Sequence, residues 1–192
     1  MADQLLSLVR GRHGHFKLES RHHTDLWFDL ETLCLNSREI RAFAERLAAR
    51  LKKYQVDVVC GPLVEGAFVA LLVSLELGCR FTYAERVDAT TRVGLFAVQY
   101  RLPKSLQPVV SGKRVAIVND VISAGSAVRG TFLDLCEIGA EVVAIGALLA
   151  LGESITEFAA KHGVAFELLE RMRHNLWQPA ECPLCAAGIA LE

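Results

Sequence analysis

Between positions 56 and 169, short apolar runs alternate with stretches of helical periodicity. This alternation limits the fold more than any other feature of the chain. The runs lie at 56–60, 80–85, 115–118, 142–151 and 166–169. Each is nearly continuous in apolar character, as expected of strands buried on both faces. Ahead of the first, the spacing of Ile40, Phe43, Ala44, Leu47, Ala48 and Leu51 predicts an amphipathic helix over 37–54, with Ser37 able to cap it. A buried helix over 67–77 is stopped at Gly78, and another over 126–137 ends at Gly139. Ser154 and Glu157 have the spacing of a capping box for a helix that stops at Gly163. The segment 86–113 is weakly patterned and reads as a long excursion with a hairpin around 94–100. Strands alternating with helices imply a doubly wound, parallel α/β sheet. Ligands of such sheets gather beyond the carboxyl ends of the strands, which makes the loops 61–66, 119–127 and 152–154 candidates.

The chain of 192 residues suits one domain, with residues 1–36 as a small N-terminal cap and 172–192 as a C-terminal tail. Twenty-one basic against twenty-two acidic residues argue against a broad nucleic-acid-binding surface. No apolar run reaches the roughly 18 residues of a membrane span, and the N-terminus lacks a signal-type apolar core, so a cytoplasmic protein without membrane partners is expected. Cys34, Cys60, Cys79 and Cys136 are dispersed among apolar neighbours and read as buried free thiols. Cys182 and Cys185 form one C-P-L-C unit. It reads either as a proline-containing turn with two thiols or as half a zinc site, completed by His174 or by a second subunit. His13, His15, His22 and His23 are expected on a solvated or ligand-facing loop.

The stretch from Arg114 to Val128, RVAIVNDVISAGSAV, changes character halfway. An apolar strand runs into an amide beside a carboxylate, Asn119 and Asp120, and then into Ser123, Ala124, Gly125, Ser126 and Ala127. An amide and a carboxylate can hold two neighbouring sugar hydroxyls. A small loop leading into a helix can turn its N–H groups onto a phosphate, aided by the helix dipole. The stretch is neither a Walker loop nor a G-x-G-x-x-G fingerprint. It reads as a sugar-phosphate cradle, with an ordinary strand–loop–helix turn as the bland alternative.

These residues resemble the phosphoribosyl-diphosphate (PRPP) signature of type I phosphoribosyltransferases, and most closely the orotate phosphoribosyltransferase family, whose DDVITAGTA-like run is matched here by NDVISAGSA. The segment GHFKLESRHHTDLWFDLE is similar to the family's N-terminal segment, and CGPLVEGAFVA stands where its diphosphate loop would be. The CPLC tail is similar to tails on some members. The resemblance implies transfer of a phosphoribosyl group from PRPP, held with Mg²⁺, to a nucleobase, in a homodimer. It implies that Asn119, Asp120, Val121, Ile122, Ser123, Ala124, Gly125, Ser126 and Ala127 bind PRPP, and that Pro62, Leu63, Val64, Glu65 and Gly66 form the diphosphate loop. Trp27, Phe28, Ser123 and Glu153 would meet the base, and Asp120, Arg86 and Arg92 would be catalytic.

The departures from the family pattern concern charge. Glu19, Glu65 and the Glu85–Arg86 pair stand where the family carries lysine, lysine and Arg-Lys, and Glu153 stands where it carries a base-binding arginine. Ala89 and Thr91 occupy the places of a catalytic-loop lysine and histidine, with Arg92 beside them. Three readings follow: the orotate reaction, with Arg86, Arg92, Arg101 and Lys104 supplying the missing charge; the same chemistry on another base, one presenting amino donors to Glu153; or a non-catalytic PRPP- or nucleotide-binding regulator.

Overall fold

The structure is a computed structural model that describes residues 5, 10–87, 95–96 and 98–192. Its main sheet contains β3 (Val58–Pro62), β4 (Arg80–Val87), β5 (Gln99–Arg101), β6 (Arg114–Ile122), β7 (Glu141–Leu151) and β8 (Ala165–Met172). They lie in the order β5-β4-β3-β6-β7-β8, all parallel except the edge strand β5, which runs antiparallel to β4. Helix α1 (Ser37–Leu51) precedes β3, the crossover helices are α2 (Glu65–Leu77), α4 (Ser126–Ile138) and α5 (Ser154–Lys161), and a short α3 (Gln107–Val110) precedes β6.

Strand parity separates two cores. Val59, Ala116 and Val118 pack with Ile40, Leu47 and Leu51 of α1 and Val69 and Val73 of α2. Val58, Cys60, Val115 and Ile117 point the other way, onto Val128, Phe132 and Leu135 of α4 and Ile155 and Phe158 of α5. Side chains alternate across a strand, so a sheet covered on both faces needs apolar residues at every position. That requirement is what made the runs visible in the sequence. From β3 the chain winds outward to β4, and from β6 it winds the opposite way to β7 and β8. The winding reverses between β3 and β6, whose carboxyl ends flank the topological switch point.

A second sheet, not anticipated as strands, joins β1 (Arg10–Lys17), β2 (His23–Asp29) and β9 (Leu176–Trp177) in the antiparallel order β1-β2-β9. It brings the first part of the chain together with the last. A final short helix, α6 (Pro183–Ala186), follows.

Several local expectations are corrected. Helix α1 is capped at Asn36, whose amide bonds Glu39, and not by Ser37. Ser154 forms no capping bond either; its hydroxyl donates to the Ala124 carbonyl. Strand β6 continues through Asn119 and Asp120 to Ile122 rather than stopping at Val118. Of the four dispersed cysteines, Cys60 is buried, Cys34 and Cys79 are half-buried, and Cys136 is exposed. The hairpin expected around 94–100 is described only in its returning strand β5; most of its turn lies outside the described residues.

β5 is fastened to α4 by Asp134. This carboxylate is 3% exposed and accepts from the Leu102 amide and from Arg101 Nη1, each at 2.7 Å. Asp134→Ala leaves the buried Leu102 N–H without an acceptor, a cost of about 1–3 kcal/mol. For a chain of this size, a fall in Tm of roughly 2–4 °C per kcal/mol is expected in thermal unfolding. An unchanged Tm would contradict this role.

Candidate functional site

The loop after β6 turns into α4 at Gly125, which has φ of 86°. That conformation favours glycine, and it lets the chain double back so that the first N–H groups of α4 emerge beside residues 123–127. The turn is braced from behind. Ser154 Oγ donates to the Ala124 carbonyl at 3.2 Å, and Arg129 Nη2 donates to Ser154 at 2.8 Å (carbonyl) and 3.0 Å (hydroxyl). The Arg129 guanidinium sits between the rings of Phe158 and Phe96, 4.4 and 4.7 Å from their centroids, which fixes a positive charge close to the loop.

A cavity of about 230 Å³ opens at this loop. Its lining combines the polar turn, Asn119 and Ser123 to Ala127, with an apolar wall from the N-terminal segment that includes Leu26, Trp27 and Phe28. Two sequence-predicted groups, Trp27–Phe28 and the 119–127 loop, thus face one space. The Ser126 hydroxyl is buried without a hydrogen-bond partner. Ser123 Oγ lies 3.0 Å from His174 Nε2. His174 was expected, if anywhere, at the CPLC cysteines. It instead supports the loop, with burial lowering its pKa so that the neutral ring is favoured.

Asn119 and Asp120 differ. Asn119 lines the cavity, and its amide donates to the Val121 carbonyl at 2.9 Å. Asp120 is 4% exposed, does not line the cavity, and has Oδ2 buried without a partner. Burial raises its pKa from the ordinary carboxylate range to about 7, and the nearby Glu65 adds to the shift. The same two carboxylates, after burial, help push the Cys34 thiol up to about 11.

The 62–66 loop leads from β3 into α2, with Glu65 in the first turn of the helix. Here Gly66 touches Asn119 so closely that a Cβ at position 66 would lie 2.0 Å from Asn119 Oδ1. The two candidate loops are therefore in direct contact across the switch point. The Leu63–Val64 peptide is cis.

The acidic departures have separate surroundings. Glu19 lines the cavity but accepts from the Tyr100 hydroxyl at 3.1 Å and pairs with Arg86 at 3.2 Å. Arg86 is thereby tied to a lining residue without itself lining the cavity. Glu85 is exposed and stands opposite Arg101 in the β4–β5 register. Glu153 is not brought to the cavity; it is paired with Arg171. Ala89, Thr91 and Arg92 lie outside the described residues.

The histidine reading is corrected most. His13, His15 and His23 are on strands, and His15 and His23 are 1% and 5% exposed. His15 and His23 form with Cys182 and Cys185 a group whose donor atoms all lie within 4.8 Å of one another. Two histidines eight residues apart and a C-x-x-C pair separated from them by most of the chain carry no local spacing signal, so only the fold reveals the group.

A switch-point crevice holding a braced, glycine-hinged strand–loop–helix turn is the construction of an α/β domain that receives a phosphorylated small molecule. The chain belongs to the phosphoribosyltransferase family: the model of the phosphoribosyl transferase domain matches residues 34–179. Within that family it is similar to the orotate enzymes. It is 32% identical over 181 residues to orotate phosphoribosyltransferase of Thermotoga maritima, covering 93% of this chain and 88% of that protein. Among solved structures, orotate phosphoribosyltransferase from Aeropyrum pernix superposes with a TM-score of 0.66 at 21% identity, covering 88% of this chain and 93% of that one. Adenine phosphoribosyltransferase from Thermoanaerobacter pseudethanolicus gives 0.68 at 17% identity, covering 90% and 100%. A purine and a pyrimidine enzyme fit equally well, so these likenesses fix the fold and leave the base to other evidence.

Proposed function

We propose that the cavity binds PRPP and that the chain transfers its phosphoribosyl group to orotate, as a step of pyrimidine nucleotide synthesis. The carrying observation is the loop over residues 123–127, whose helix-start amides and unpartnered Ser126 hydroxyl border a cavity walled by Trp27 and Phe28. In this reading the amides and hydroxyls of Ser123 to Ala127 hold the 5-phosphate. Asn119 and Asp120 take the ribose hydroxyls, with the unpartnered Asp120 Oδ2 as an acceptor. Val121 and Ile122 shape the floor. Pro62, Leu63, Val64, Glu65 and Gly66 face the diphosphate. Trp27 and Phe28 stack on the flat base, and the Ser123 hydroxyl, steadied by His174, offers it a hydrogen bond.

The donor set near the ribose is oxygen-rich and includes a buried, unpartnered carboxylate oxygen, which fits Mg²⁺ arriving on the substrate with its water shell. When bound, Mg²⁺ supplies charge neutralisation for the departing diphosphate. The chain's own residues bind, orient and exclude water. Arg86, paired with the cavity-lining Glu19, and Arg92 contribute positive charge toward the diphosphate. The pairing of Glu153 with Arg171, outside the cavity lining, supports orotate over a base chosen by Glu153. No helix among the described residues is long and apolar enough to cross a membrane. The proposed setting is the cytoplasm, with neither nucleic acid nor membrane as partner. Exposed Val64, Phe68, Leu71 and Leu75, the last three at helical spacing on α2, support a homodimer.

The test is diphosphate release from PRPP and Mg²⁺ with orotate, other pyrimidines, hypoxanthine, guanine and adenine in separate reactions. Steady release with orotate, and none without a base, is expected. Release with another base alone would move the acceptor assignment. PRPP binding without turnover on any base would favour the regulator.

A further inference from the structure

The best-formed cluster of metal-ligating side chains lies away from the cavity, where the C-terminal tail meets the N-terminal sheet. His15 Nε2 and His23 Nδ1 are 3.1 Å apart. Cys182 Sγ is 3.4 Å from His15 Nε2, and Cys185 Sγ is 3.7 Å from the same atom and 3.2 Å from His23 Nδ1. A tetrahedral zinc ion with Zn–N of about 2.0–2.1 Å and Zn–S of about 2.3 Å sets N–N, N–S and S–S edges of roughly 3.3, 3.6 and 3.8 Å. The four observed separations lie within a few tenths of an ångström of those edges.

The outer contacts agree. His15 Nδ1 is 2.7 Å from the Ile189 carbonyl. A carbonyl only accepts, so Nδ1 carries the proton and Nε2 presents its lone pair to the other three donors, the arrangement that orients metal-bound histidines. His15, His23 and Cys182 are buried, so water has little access to satisfy them. The tail is also tied to this sheet by backbone bonds: β9 pairs with β2 at His23–Trp177, and the Glu192 amide donates to the His15 carbonyl.

We propose that His15, His23, Cys182 and Cys185 bind one zinc ion per chain, which fastens the C-terminal tail to the N-terminal sheet. Two nitrogen and two sulfur donors at tetrahedral spacing suit zinc over the harder Mg²⁺, Ca²⁺ or Mn²⁺. All four positions are filled by protein, so the site is structural and leaves no open coordination for substrate. It needs no second subunit, since one chain supplies every ligand. Strand β2 carries Trp27 into the cavity wall, so the ion steadies the element that roofs the cavity, and this inference stands whichever base the cavity accepts.

The test uses the full chain, purified with a phosphine reductant. Stoichiometric zinc by mass spectrometry, a lower Tm after chelation and its return with added zinc are expected. Cobalt substitution should give the visible bands of a tetrahedral ion and a thiolate charge-transfer band. Cys185→Ser, at an exposed position, should lose stoichiometric zinc and alter that spectrum, whereas Cys34→Ser should keep both. Substoichiometric zinc in the reduced wild-type protein after incubation with the metal would overturn the proposal. So would an octahedral cobalt spectrum without thiolate bands. Should Cys185→Ser fail to fold, the wild-type zinc content and cobalt spectrum still decide; unchanged zinc and spectrum in a folded Cys185→Ser would refute the ligand set.

Discussion

Asp120→Asn is expected to stabilise the free protein while removing its turnover. Burial of this carboxylate, whose Oδ2 has no partner, outweighs its backbone hydrogen bonds and raises the folded-state pKa from 3.8 to about 7. A raised carboxylate pKa means that the folded state holds its proton where the unfolded chain has lost it. Stability contributed by this group is therefore intact below about pH 4, declines as pH rises between the two values, and stays reduced above about 7. Asparagine has no such ionisation. At pH 8 the variant should be more stable by on the order of 2–4 kcal/mol, seen as a rise in Tm of several degrees, and the difference should shrink toward zero by pH 4. Turnover should fall by about 10²-fold or more, because the neutral amide is a weaker acceptor for the ribose hydroxyls and couples less to the cation. In the wild type, PRPP affinity should rise through pH 7 as the carboxylate ionises. A variant with equal stability at every pH, or with unchanged turnover, would remove Asp120 from this role.

Gly66→Ala carries the second large effect. A Cβ there would lie 2.0 Å from Asn119 Oδ1, far inside contact distance. Asn119 has little freedom to yield, since its amide is engaged by the Val121 carbonyl at 2.9 Å and its backbone is within β6. Either α2 moves away from β6 or Asn119 rotates out of its place at the cavity. The first route costs about 1–3 kcal/mol, the usual penalty of overpacking. The second leaves the fold nearly intact and lowers PRPP affinity. Urea unfolding and a PRPP titration together distinguish the routes, and no change in either measurement would contradict the close approach of the two loops.

The parallel sheet was legible because burial on both faces forces unbroken apolar runs. The same logic explains the error at the end of β6: Asn119 and Asp120 interrupt the apolar run although the backbone remains paired with β7 through Ile122. Strands β1 and β2 escaped notice because RGRHGHFK and HTDLWFD lack a clean two-residue alternation, and the β1–β2 register shifts between His13 and Phe16. Two-residue β9 is defined only by its partner. Within the candidate site, the 119–127 loop could be read from its residue types, since small residues between a strand and a helix have few other uses. The ion pair of Glu19 with Arg86 and its hydrogen bond from Tyr100, the pairing of Glu153 with Arg171, and the contact of His174 with Ser123 join residues distant in sequence. None of these leaves a local pattern. The meeting of His15 and His23 with Cys182 and Cys185 is the extreme case, joining the two ends of the chain.

The most direct measurement is a crystal structure of the protein with ribose 5-phosphate at saturating concentration. The account predicts phosphate oxygens within hydrogen-bond distance of the amides of residues 123–127 and ribose hydroxyls at Asn119 and Asp120. Sugar phosphate bound elsewhere, or that loop vacant while the ligand is in excess, would contradict it.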